Sequence, residues 1–319
     1  MLCCQGSRPA SSRKRTNPKP CSSLALKEPR GSIMNAKKNR RRLWLWTAVV
    51  SGFVVGLYAC GGGLGFSLIS DQQEVEIGTG VDQEIEGTYA IVNDNDPVAV
   101  WARDLVRPLE TASTAWRDPA DIGGFKVEVI ADDELVNAFA APGGFTYIST
   151  GLILQATTCA EIAGVMSHEL AHVTERHSVK NIEEAYGVSV VTSWFLGEGL
   201  ATEVIGGLYS FLQSTTYSQE HEAEADDVGL QIAYAAGYNP YGLVDFFEKL
   251  LALSGGASVP TFLSSHPATQ DRINDTGQKI QQLYGSKVVR GSTQTYDCMN
   301  TSLQLADVQA AIRAGVSIR

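Results

Sequence analysis

The chain is 319 residues long, 44% hydrophobic and 19% charged, with a formal net charge of −10. That is ordinary for a globular protein and long enough to bury a real core. The charge is uneven: residues 1–59 hold twelve Lys/Arg and one acid, Glu28, which leaves a balance of −21 for the rest. A body that acidic repels phosphate backbones and anionic head groups, so nucleic acid is excluded as a partner and a membrane tie must come from the N-terminus.

Residues 1–33 are rich in Pro, Ser and Arg and read as disordered or as an over-long start, since Met34 stands where an export signal would begin. Lys37, Lys38 and Arg40 to Arg42 form a basic stretch ahead of the apolar run Leu43–Ala59, which is short for a membrane span. The run ends in Leu57-Tyr58-Ala59-Cys60 and three glycines, which resembles a bacterial lipobox. Residues 34–59 are therefore expected to be a lipoprotein-type signal peptide, Cys60 the acylated residue and 60–69 a Gly-rich tether. The alternative is an uncleaved anchor continuing through Phe66 and Leu68. Gly61, where an Asp would signal inner-membrane retention, favours the outer membrane.

None of the six cysteines forms a CxxC pair, so no structural zinc site is expected. Once Cys60 is assigned, Cys159 and Cys298 are the pair left beyond the signal. A disulfide between them is expected in an oxidising compartment, with two buried free thiols as the alternative.

Ser70 is placed to cap a helix from Asp71, with Gln73 closing a capping box. Pro97 opens a second helix with Val100, Leu105 and Leu109 inward. Lys126–Ile130, Asn137–Ala140 and Phe145–Ser149 read as strands, the last two joined by a Pro142-Gly143-Gly144 turn. From Thr158 onward the pattern is helical. Gly187–Gln213 is apolar, but Glu198 and Glu203 interrupt it, so buried or cleft-lining helices are expected rather than a span. Helices near Tyr241–Ser254 and Gln270–Tyr284 follow, and the tail after Lys287 is weakly patterned.

The chemistry concentrates in His168-Glu169-Leu170-Ala171-His172. Thr158 and Glu161 mark the start of its helix, and positions four apart share a face, so both imidazoles can reach one ion. Glu169, about a quarter turn away, can act on water without being a ligand. A catalytic zinc needs a third protein ligand. Position 178 is Ser178, not a histidine, so the extended HExxHxxGxxH pattern is absent. The best source is the acidic helix Glu220–Asp226, where Glu222 and Asp226 share a face. His266 is a candidate to approach the open metal position as a gate or as a stabiliser of the reaction's oxyanion, or else to cap the helix after Pro267. Tyr217 is a second candidate for the oxyanion. His177 reads as a helix-end residue satisfying carbonyls, and His221 as lying beside the site or exposed.

Together, His168–His172, Glu222-Ala-Glu-Ala-Asp226 and Ser265-His266-Pro267 resemble the HtpX and CAAX-prenyl-endopeptidase family of gluzincin zinc metallopeptidases, in its periplasmic LoiP- and BepA-like lipoprotein branch. The likeness runs from about Ser70 to Tyr284; one departure is Gln219, where relatives often carry Arg. It implies an α+β, predominantly helical, zincin-like domain over 70–286, with a small β-sheet beside the HExxH helix and a C-terminal extension over 287–319. It implies Glu222 as third ligand of one Zn2+ per chain, and Asp226 supporting a ligating histidine. It also implies that Asn137, Ala138, Phe139 and Ala140 pair with substrate as an edge strand; a hairpin that merely completes the sheet is the alternative. The expected activity is endopeptidase hydrolysis of unfolded or misassembled envelope proteins, with Glu169 as base. The rivals are a metal-bearing chaperone or assembly factor with little proteolysis, and a zinc hydrolase acting on other amides or esters.

Overall fold

The computed structural model describes residues 67–196, 200–254, 260–291, 298 and 301–319, all within one compact unit, Phe66–Arg319. The expected signal peptide, Cys60 and most of the tether lie outside the described residues.

Helix α1 (Asp71–Thr88) begins at the expected capping box: Ser70 Oγ accepts from Gln73 N, and Gln73 Oε1 accepts from Ser70 N. Helix α2 (Pro97–Ser113) starts on its proline behind an Asp96 cap. Its inward stripe includes Val98, Trp101, Leu105 and Leu109, while Val100 is only half-buried at the stripe's edge. Strands β1 (Lys126–Ile130), β2 (Ala138–Ala141) and β3 (Phe145–Ser149) form a sheet in the order β1-β3-β2, with β1 parallel and β2 antiparallel to β3. β2 is thus an edge strand, and it starts one residue later than the sequence suggested. Asn137 falls just before it because its amide donates to the Ser149 hydroxyl, a side chain, instead of continuing the backbone ladder.

After a short α3 (Thr150–Gln155), helix α4 (Cys159–Thr174) runs through the centre of the unit. All its residues but Ala160 are buried, because it is apolar nearly all round and is covered by α2, the sheet, α7 (Gln219–Ala235) and α8 (Tyr241–Ser254). Its start is capped as expected, Thr158 Oγ1 accepting from Glu161 N. The element after it, α5 (His177–Trp194), is two helices joined at Gly187, whose φ of 73° and ψ of 163° leave the helical region. A side chain there would be strained, so the break is written into the sequence. Helix α6 (Thr202–Ser214) leads to α7, and α9 (Phe262–Ser265) and α10 (Gln270–Tyr284) follow α8.

The core has two parts. One lies among α2, α4, α7 and α8, and the other between α1, the opposite side of the sheet, α5 and α6. The tail is better ordered than its weak pattern suggested: α11 (Leu305–Ala314) buries Leu305, Val308 and Ile312 in the first core. Cys298 is joined to Cys159 at the first turn of α4, with Cα atoms 5.4 Å apart and 139 residues between them in sequence. A bridge closing so long a loop contributes about 2–4 kcal/mol.

Candidate metal centre

His168, Glu169 and His172 sit on the buried middle of α4, and α7 crosses beside them. The crossing is close because Gly229 has no side chain: a Cβ there would lie 3.0 Å from His168 Cα and N. That approach brings Glu222, near the start of α7, to the same point as the two histidines. His266 arrives from the turn after α9, whose Phe262 ring stacks on it.

His168 Nε2 and His172 Nε2 are 3.0 Å apart, and Glu222 oxygens lie 3.6 and 3.5 Å from them. A tetrahedral ion with ligands at about 2.0–2.1 Å spaces those ligands by about 3.3 Å. His266 Nδ1 closes the group, 3.2 Å from His168 Nε2 and 2.8 Å from Glu222 Oε1. All four side chains are buried.

The proton positions follow from what surrounds each ring. Behind His168, Nδ1 lies 3.0 Å from Asp226 Oδ1. That carboxylate is clamped by Arg272, which donates to both of its oxygens. A carboxylate only accepts, so it favours the proton on Nδ1 and leaves the Nε2 lone pair facing the cluster. Behind His172 the arrangement is longer. His177 Nε2 is 3.1 Å from Glu224 Oε2, so it donates; a neutral His177 then accepts at Nδ1, which lies 2.8 Å from His172 Nδ1. His172 therefore donates there, and its Nε2 lone pair also faces inward. Two buried lone pairs 3.0 Å apart beside a carboxylate repel one another, and a cation between them removes the conflict. The residues present fit a divalent metal.

The titration directions agree. Burial pushes the His172 imidazole well below its usual range, keeping it neutral. Burial would raise Glu222, but the charge of His266 and its hydrogen bond outweigh it and hold the carboxyl far down. Burial would also raise Asp226, but His168 and Arg272 keep it ionised. His177 is lowered to about 4, chiefly by burial, which fits the neutral ring that the hydrogen bonds require. Burial raises Glu169, partly countered by His266, His168 and the Ala140 amide.

Glu169 is not part of the cluster: its Oε1 is 3.4 Å from His266 Nε2 and has no hydrogen-bond partner. It lies instead at the floor of a cleft of about 270 Å³. One wall is the edge strand, with Phe139, Ala140 and Ala141; the other is the end of α6 and the segment leading to Tyr217. Asn137 also lines the cleft, whereas Ala138 is fully buried beneath it.

Belonging is decided by the full set of matched positions. The model for peptidase family M48 matches residues 102–279, more than half of the chain, and that span holds every residue of the cluster. The chain belongs to peptidase family M48. It is also similar to the beta-barrel assembly-enhancing protease of Escherichia coli K12, at 27% identity over 68% of this chain and 46% of that protein. The metalloprotease LoiP of the same organism is 33% identical over 46% of this chain and 59% of its own length. The mitochondrial metalloendopeptidase OMA1 of Arabidopsis thaliana is 26% identical over 62% and 43%. The chain thus spans about half the length of these relatives. Membership agrees with the resemblance carried by the sequence motifs and with the predominantly helical α+β fold around a small sheet.

Sequence reasoning missed His177, Glu224 and Arg272. His177 is the first residue of α5, and its ring turns inward to His172 rather than capping the end of α4. The signal was present as a second histidine pair, His172 and His177, but their meeting depends on the left-handed Arg176 (φ 57°) that turns the chain between the helices. Tyr217 is not aimed at an oxyanion position: its ring stacks on His172 at 3.9 Å and its hydroxyl pairs with Ser178. His266 does not cap α10; Thr269 does. His221 stacks on His177.

Proposed function

We propose that this M48 member is a zinc endopeptidase in which His168, His172 and Glu222 hold one Zn2+ and Glu169 is the general base. The observation that carries the reading is the convergence of those three donors beside a carboxylate with a free oxygen, at the floor of a cleft walled by an edge strand. When bound, the ion polarises the scissile carbonyl and makes water a better nucleophile at neutral pH. Glu169 accepts the proton of the attacking water and returns it to the leaving amine, and its raised pKa suits both tasks. Asp226 and Arg272 fix His168, and the His177–Glu224 pair fixes His172.

The substrate is an extended peptide that adds a strand to β2 along Phe139 and Ala140, with Asn137 at its end. Among the described residues, Glu169 and His266 are the charged side chains that line the cleft, and Val81, Ile85, Phe139 and Leu212 supply apolar walls. That favours uncharged, apolar stretches of the sort exposed in unfolded or misassembled envelope proteins. His266 holds the remaining side of the cluster and gives way when substrate enters, so His266→Ala should raise cleavage of small peptides without loss of zinc. In this reading Cys60 carries a lipid that ties the enzyme to the periplasmic face of the outer membrane, and the Cys159–Cys298 bridge forms there.

The test is zinc content together with casein cleavage for the wild type, Glu169→Gln and Glu222→Gln. We expect one zinc and cleavage in the wild type, zinc without cleavage in the first variant, and loss of both in the second. A wild type that holds zinc and cleaves neither casein nor short peptides would leave the assembly-factor reading in its place.

A further inference from the structure

Between Glu184 and Glu220 the chain has two charged residues, Glu198 and Glu203, and no Lys, Arg or Asp. The described part of this stretch forms the second half of α5, after Gly187, and α6. One side closes the second core and the cleft through Val191, Leu208 and Leu212. The outer side exposes Val188, Val190 and Leu196, the last at 81% of its surface. The outward hydroxyls between them are turned back onto their own helices. Thr192 donates to Val188 O, Ser193 to Val190 O, Ser210 to Gly206 O and Ser214 to Phe211 O. The outer side of the second half of α5 therefore offers apolar groups and internally paired hydroxyls, which suits a medium poor in water, whereas α6 exposes Thr202, Glu203, Gly207, Ser210, Gln213 and Ser214.

A second observation says what that medium is. Where the described chain begins, Ser67 Oγ, Leu68 N and Ile69 N all donate to Glu183 Oε1, four residues before Gly187. The domain's entry point is thus fastened to the root of the apolar pair, and Leu68 is itself 44% exposed. Seven residues, 60–66, lie between the apolar run Leu43–Ala59 and Ser67. Seven residues reach at most about 25 Å. Whether that run is exchanged for a lipid on Cys60 or kept as an anchor, the root of the pair stays within that distance of the bilayer.

We propose that the outer face of residues 188–196 lies in the interfacial layer of the membrane that holds the N-terminus. It inserts by apolar contact, since it has no basic residue to attract anionic head groups. Because α6 packs against α5 and is a wall of the cleft, through Tyr209 and Leu212, the cleft would then open beside the bilayer. The proposal rests on the reading of residues 34–60 as a membrane-directed segment.

The full chain would be reconstituted in phosphatidylcholine vesicles containing a lipid with a carbene-generating group in its acyl chain, irradiated, digested and mapped by mass spectrometry. We expect adducts on peptides covering 188–196 and on residues before 67. The double variant Val190→Glu, Leu196→Glu should lose the first set several-fold and keep the second, with zinc content unchanged as the sign of an intact fold. Adducts confined to residues before 67 would overturn the proposal while leaving the anchor reading in place. Adducts nowhere in the chain would overturn both.

Discussion

The two histidines of α4 are held from opposite sides by unlike chemistry. Behind His168 stands a charged clamp: Asp226, 6% exposed, with Arg272 on both its oxygens and on Glu222 as well. Behind His172 stands a neutral imidazole, His177, whose own partner Glu224 is 46% exposed. The first flank is completed when the protein folds, since the desolvated charges of α7 and α10 have to meet for either to be tolerated. The second flank ends in solvent, where a carboxylate is screened and its contribution is modest. One histidine is therefore tied to the stability of the fold, and the other is tied to the surface.

The largest effect should fall on neither flank. Glu169→Gln should lower peptide cleavage by about 10²- to 10⁴-fold while metal content, read by atomic emission, stays at wild type. A loss of metal in that variant would mean that the base and ligand roles had been wrongly separated.

Arg272→Ala should break the first flank, because it leaves Asp226 and Glu222 buried without their cation. A loss of about 3–5 kcal/mol is expected, measured by urea denaturation with and without chelator. A loss under about 1 kcal/mol would show that the clamp is no more than a surface pair.

His177→Ala should act on the other side without comparable loss of stability. It removes the acceptor that orients His172, so zinc affinity should fall by about 10- to 100-fold in a competitive chelator titration. Glu224→Gln should do the same more weakly and should respond to salt, since the carboxylate it replaces is half-exposed. Equal effects for Asp226→Asn and Glu224→Gln would erase the contrast between the flanks.

The smallest effect lies far from both flanks. Burial would raise the Asp96 carboxyl, but hydrogen bonds from Ser317 and Val98 outweigh it and lower its pKa below the ordinary 3.8. A carboxyl lowered on folding stabilises above its unfolded pKa, and that stability is lost as pH falls through the folded value. Asp96→Ala should therefore cost about 1 kcal/mol at neutral pH. The gap from wild type should close below the ordinary carboxylate range when thermal unfolding is followed against pH.

Much of the local structure was legible because it depends on neighbours in sequence. The capping box at Ser70, the Thr158 cap and the start of Gln270–Tyr284 behind its Thr269 cap all follow from side chains within four residues. The approximate position of β2 was legible too, but its first residue was not, since the Asn137 amide is claimed by the side-chain hydroxyl of Ser149 on the neighbouring strand. Helix α11 was missed because its inward stripe of Leu305, Val308 and Ile312 is short and is paired only by a core built from residues far upstream.

Helical periodicity is a local property, so the spacing alone puts His168 and His172 on one helix face, Glu169 off it, and Glu222 and Asp226 together on another. Which of those faces meet is set by packing between distant segments. The absence of a side chain at Gly229 lets α7 come near enough for Glu222 to reach the histidines, and the turn at Arg176 swings His177 back onto His172. Arg272 reaches Asp226 across 46 residues of chain, a separation that carries no trace in local pattern. A buried charge can find its counter-charge anywhere in the chain, so no sequence spacing announces the partner, and folding alone brings the two together.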